Sequence, residues 1–212
     1  MLEKIILFLE SQLKERLPYA NIDNEDIDDA LKEFIIKEQR SPKKTHRVCA
    51  TMLVLFENNN EIYFPCILRP QKSRVHPGQI AFPGGGKEEQ DVDLSDTAIR
   101  ETLEEIGILV PKDQVVGSLI NMYVPPSNSM ITPKVGFLSK RPIYKNDPNE
   151  VDKVIEIPIS SLLNEENHTT KTIQVQKGLK VNMPAIQIGE HLIWGATARI
   201  LKEFTLVLKE MN

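Results

Sequence analysis

The stretch that most constrains this chain is Arg100-Glu101-Thr102-Leu103-Glu104-Glu105-Ile106-Gly107-Ile108. Wound at about 100° per residue, it places Glu101, Glu104 and Glu105 within an arc of about 100°. Ile99, Thr102, Leu103 and Ile106 then fall on the opposite side. A helix with one apolar and one anionic face has to lie on a core with its charges turned away. The spacing predicts a helix from Ser95 or Asp96 to Ile106, with Ser95 as N-cap and Gly107 as the stop. The three carboxylates stand about 5–6 Å apart at Cβ. At an effective dielectric of about 20, each ionised pair repels by ~3 kcal/mol. A hard divalent cation such as Mg²⁺ or Mn²⁺ reverses that repulsion, because every donor is an oxygen. A solvated acidic face is the plainer reading of the same pattern. Arg100 and Glu104, at i and i+4, fit it as an ordinary ion pair.

Shortly before this helix comes Phe82-Pro83-Gly84-Gly85-Gly86. Glycines let a backbone approach a ligand closely. Amides at Gly84 and Gly85, with a metal held on the helix, would clasp a diphosphate between them. Around the pair of motifs the texture is mixed. Strands are expected at Val48–Phe56, Ile62–Leu68, Gln114–Tyr123, Ile131–Leu138, Val154–Ile157, Thr172–Val175 and Leu179–Ile188. A short helical turn is expected at Pro158–Leu163. A closing helix is expected over Thr197–Met211, starting as early as Ile193. No regular βαβ repeat appears, so the fold class is α+β with a mixed sheet. Leu2, Ile5, Ile6, Leu9 and Leu13 recur at helical spacing. A second helix from Asn24 or Asp28 carries Leu31, Phe34 and Ile35. These form an N-terminal helical extension over 1–45, ahead of a main domain over 46–212. Such an arm packs on the core or on a second subunit, and monomer and homodimer both fit.

Charge narrows the partners. The chain of 212 residues holds 26 Lys and Arg against 30 Asp and Glu, a net charge of -4. That gives no basic field for nucleic acid or an anionic membrane. The apolar runs fall far short of the ~20 residues that span a bilayer. With only Cys49 and Cys66, both in apolar strands, no disulfide framework is expected. With no leader in the first residues, the expected location is cytoplasmic.

Segment Gly85 to Ile108 resembles the Nudix box, G-x5-E-x7-R-E-U-x-E-E-x-G-U with U aliphatic. Arg100, Glu101, Glu104, Glu105, Gly107 and Ile108 match it. Asp91 stands at the first acidic position, the spacing from there to Arg100 is one residue longer, and Thr102 replaces an aliphatic residue. These departures are similar to the coenzyme A pyrophosphatase subgroup. So is the upstream pattern of Arg69, Arg74, Gly78, Phe82, Pro83, Gly84 and Gly85, although Pro65, Cys66, Ile67 and Pro70 break the front of that signature. The resemblance implies an α/β/α sandwich with metal-dependent hydrolysis of a nucleoside diphosphate linkage. In the subgroup, coenzyme A is cut to 3',5'-ADP and 4'-phosphopantetheine. By the same resemblance Glu101 and Glu105 are the leading metal ligands, Glu104 is a third ligand or helps position water, Arg100 orients the glutamates, and Mg²⁺ or Mn²⁺ is the cofactor. Arg69, Arg74, Gly84 and Gly85 are the expected substrate contacts, Arg69 and Arg74 as planar cations suited to phosphate. Glu150 is the candidate general base outside the box. Alternatives are the same chemistry on ADP-ribose or a dinucleotide, and a non-hydrolytic nucleotide-binding regulatory module. His46, His168 and His191 show no zinc-ligand spacing, and His76, which has the chemistry for acid–base work, reads as structuring its loop.

Overall fold

The structure, a computed structural model, describes residues 1–13, 33, 36, 45–73, 76–174 and 180–211. The expected second helix with Leu31, Phe34 and Ile35 lies outside the described residues. So do Arg74, Val175 and Leu179.

The central element is strand β1 (Arg47–Asn58), whose run of β-branched and aliphatic residues is buried on both faces. Asn59 and Asn60, both with positive φ, turn it back into β2 (Glu61–Leu68). Two short strands follow in the glycine- and proline-rich region, β3 (Ile80–Ala81) and β4 (Gly84–Gly86). Helix α2 (Leu94–Ile106) comes next, α1 being Leu2–Leu13. Then come β5 (Val115–Ser118), β6 (Met122–Val124), β7 (Ser129–Leu138) and β8 (Lys153–Pro158). The chain closes with α3 (Ile159–Leu163), β9 (His168–Gln174), β10 (Lys180–Ile188), β11 (His191–Trp194) and α4 (Ala196–Lys209).

Strands β1 to β8 form one mixed sheet, and β9, β10 and β11 a small antiparallel one. Strand β1 runs parallel to β7 and antiparallel to β2 at its far end. At its near end β1 pairs with β4, Cys49 opposite Gly86, Ala50 opposite Gly85 and Thr51 opposite Gly84. Alternation along β1 sorts the two faces. Ala50, Met52 and Val54 pack with Ala98 and Ile106 of α2. Leu53 and Leu55 share the larger core with Leu2, Ile5, Leu9 and Leu13 of α1 and with Leu201, Phe204 and Val207 of α4. The sheet therefore lies between helices on both faces, the α/β/α arrangement expected from the sequence. Both cysteines are buried free thiols. No helix among the described residues is long and apolar enough to cross a membrane.

Three expectations change. The N-cap of α2 is Asp93, not Ser95, because the Asp93 carboxylate accepts from the amides of Ser95 and Asp96. The expected strand Gln114–Tyr123 is split into β5 and β6. Ile193 belongs to β11, not to the closing helix, since Gly189 at positive φ turns β10 into a hairpin.

Candidate active site

The site is assembled where β4 meets α2. A Cβ on Gly84 would lie 2.4 Å from the Ala50 carbonyl oxygen and 2.6 Å from the Thr51 Cα, so only glycine lets this edge strand close on β1. That closure brings β4 under α2. The Gly84 amide then donates to Glu105 Oε2 at 2.9 Å. This amide was expected to bind substrate phosphate. Instead it holds a carboxylate. Gly85 is covered by Glu101, whose carboxylate sits 2.5–2.7 Å from where a Gly85 Cβ would be.

The three glutamates have different surroundings. Glu105 is 2% exposed, Glu101 13% and Glu104 57% at the side chain. A helical wheel gives them one shared face. Docking of β4 on that face buries Glu105, and Leu103, expected in the core, is exposed. Burial pushes Glu105 up to about 8, against the Gly84 amide and the Arg69 charge, which oppose the rise. The Glu101 and Glu150 charges add to it. Burial also raises Glu101, opposed by Arg100. Among the described residues Arg69 is the cation that pairs with Glu105, with Nη1 at 3.9 Å from Oε1. Its Nε is buried and has no hydrogen-bond partner among the described residues. Glu150 lies in the 147–150 turn, which is tied to α2 by the Asp147 amide donating to the Glu105 carbonyl at 3.0 Å. Its charge reaches both Glu101 and Glu105. A groove of about 480 Å³ opens beside Glu104, floored by Leu103, Gly107 and Lys145 to Pro148.

Arg100 is the organiser. Nε and Nη2 grip Asp91 at 3.1 Å each, Nη2 also donates to the Gly86 carbonyl, and Nη1 reaches Glu101 at 3.0 Å and Glu104 at 2.9 Å. Asp91 accepts in addition from Thr97 Oγ1 and the Glu88 amide. The Arg100 hydrogen bonds hold the Asp91 carboxyl well below the usual carboxylate range and raise Arg100 in turn. The aspartate noted in the sequence therefore serves this clamp. Its signal was only the departure from the box.

The donor set suits a hard divalent cation. Glu105 is a buried carboxylate with one amide donor, and the half-buried Glu101 lies beside it, both packed against a strand whose missing side chains leave room. No three acidic side chains among the described residues already close on one point. Arg100 occupies Glu101 and Glu104 instead.

The NUDIX domain profile matches residues 45–174. The chain belongs to the Nudix family. It is 34% identical over 135 residues to a Homo sapiens protein named mitochondrial coenzyme A diphosphatase NUDT8, covering 63% of this chain and 56% of that one. To a Photorhabdus laumondii Nudix hydrolase named NudL it is 32% identical, covering 70% and 85%. To a Mus musculus protein named peroxisomal coenzyme A diphosphatase NUDT7 it is 27% identical, covering 77% and 71%. The chain thus spans little more than half of the human relative. A MutT/nudix family protein from Enterococcus faecalis superposes with a TM-score of 0.58 at 15% identity, covering 98% of this chain and 74% of that one, which supports the Nudix fold.

One prediction arises from the Nudix glycines. Gly85→Ala should leave the fold standing, because the crowded neighbour is the movable end of Glu101. Displacing that carboxylate by about 1 Å is expected to lower kcat about 10²-fold. Steady-state kinetics beside a melting curve check both halves.

Proposed function

We propose that this Nudix hydrolase cleaves the diphosphate of coenzyme A or an acyl derivative, using Mg²⁺ or Mn²⁺. The observation that carries the hydrolytic part is Glu105, a buried carboxylate held at the Gly84 amide with Glu101 beside it and Arg69 facing it. A regulatory module that only binds a nucleotide has no use for so strained a carboxylate. Support for coenzyme A comes from the names of the relatives and from the pattern of Arg69, Gly78, Phe82, Pro83, Gly84 and Gly85.

Glu105, Glu101 and Glu104 would hold the cation. When bound, it neutralises the diphosphate and lowers the pKa of a coordinated water. Arg69, whose side chain is partly exposed beside Glu105, contacts a phosphate oxygen. Arg100 keeps Glu101 and Glu104 on station. Glu150 accepts the water proton. One water is consumed: its OH goes to one phosphorus, its hydrogen to the bridging oxygen, and 3',5'-ADP and 4'-phosphopantetheine leave. We place this activity in the cytoplasm.

The test is product analysis with coenzyme A and ADP-ribose in parallel, each with Mg²⁺, Mn²⁺ or EDTA. Metal-dependent release of 3',5'-ADP, much faster than ADP-ribose cleavage, is expected. Cleavage of ADP-ribose alone would keep the hydrolase and discard this substrate.

A further inference from the structure

Strand β4 has no side chains, so what lies over its two faces is supplied by the rest of the chain. Consecutive residues of a strand point to opposite faces. Over Gly85 lies the Glu101 carboxylate. Over Gly86, on the other face, lies the guanidinium of Arg47. A Cβ on Gly86 would be 2.6 Å from Arg47 Nη2 and 2.7 Å from Nε. The bare glycine is therefore the seat for this cation.

Arg47 is the first residue of β1 and is fixed there. Its amide donates to the Asn128 carbonyl at 2.9 Å, and it sits opposite Ser129 in the parallel ladder. Its side chain is exposed, and no carboxylate among the described residues pairs with it. Two described cations beside β4 are committed. Arg100 is held by Asp91, and Lys87 Nζ donates to the Asp91 carbonyl. The intervening Cys49 thiol is acted on by both the Arg47 and the Glu101 charge, so the two groups share one corner of the sheet. An exposed, unneutralised guanidinium laid flat beside a carboxylate-rich site is suited to a second anion of the ligand.

We infer that Arg47, seated on Gly86, binds a phosphomonoester of the substrate that is separate from the diphosphate being cut. The diphosphate belongs to the α2 face, where the glutamates are. Arg47 lies across the strand from it. The substrate class is then a nucleoside diphosphate derivative with an additional phosphate on its ribose. This rests on the coenzyme A reading above, in which that group is the 3'-phosphate of the adenosine.

The experiment compares coenzyme A with dephospho-coenzyme A, which lacks only that phosphate, in the wild type, Arg47→Ala and Gly86→Ala. The ratio of kcat/KM for the two substrates is expected to fall about tenfold or more in Arg47→Ala, through KM for coenzyme A. Gly86→Ala, which takes away the seat but keeps the arginine, is expected to lower the same ratio. An equal loss on both substrates, or no loss, overturns the inference while leaving the coenzyme A reading intact. If the wild type cleaves neither substrate, that reading fails instead. The inference is then read from equilibrium binding of 3',5'-ADP against 5'-AMP. A preference for 3',5'-ADP that Arg47→Ala abolishes sustains it, and identical preferences in the two proteins overturn it.

Discussion

Glu105→Gln is expected to lower kcat by roughly 10³-fold or more while making the metal-free protein more resistant to unfolding at alkaline pH. The first effect follows from losing the charge that would hold a cation at the centre of the site, worth several kcal/mol of barrier. The second follows from burial. In the folded chain Glu105 titrates at about 8, far above an exposed glutamate. Between about pH 4.5 and pH 8 the folded state therefore binds more protons here than the unfolded state. Stability contributed by this group falls as pH rises through that window, and the full penalty is present above it. Glutamine keeps an oxygen for the Gly84 amide and cannot ionise, so the penalty disappears. Melting temperatures without metal, at pH 5 and pH 9, should fall more steeply in the wild type than in the variant. Added Mg²⁺ or Mn²⁺ should restore the wild type at pH 9 and leave the variant unmoved. Full activity in Glu105→Gln would remove this residue from the site.

That same carboxylate marks where the sequence stops being readable. Spacing puts Glu101, Glu104 and Glu105 on one arc, and the helix forms where the spacing says. Which of the three is buried depends on β4, and β4 reads in sequence as a glycine loop. Its strand character comes from pairing with Cys49 to Thr51, a long-range contact that local pattern does not carry. The β1 and β7 segments were legible because Val and Leu recur in the first and Ile131, Val135, Phe137 and Leu138 in the second. Strand β11 was not, since His191 to Trp194 also fits the start of the helix behind it. The Gly189-Glu190 turn was the missed signal. Arg47 carried no signal at all. A single arginine at a strand start acquires meaning only when folding lays it on Gly86.

Asp91 and Arg100 are the second case of meaning supplied by tertiary structure, and Arg100→Met is the sharpest test of it. The substitution keeps the length and apolar stem of the side chain and removes the guanidinium. Asp91, 4% exposed, would then be a buried carboxylate with Thr97 Oγ1 and the Glu88 amide as its remaining donors among the described residues. Removing one partner of such a pair typically costs about 3–5 kcal/mol. For a chain of this length that is a drop in Tm of roughly 6–20 °C. Lysine is expected to recover only part of it, because a single ammonium cannot grip both oxygens of Asp91 and also reach Glu101, Glu104 and the Gly86 carbonyl. Pairing Arg100→Met with Asp91→Asn separates the two roles. If the arginine serves chiefly to neutralise Asp91, the double variant regains most of the lost stability. Its kcat should nevertheless stay low, since Glu101 and Glu104 have lost the donor that positions them. Recovery of activity together with stability would show that the clamp is purely structural, and that the glutamates find their places without it.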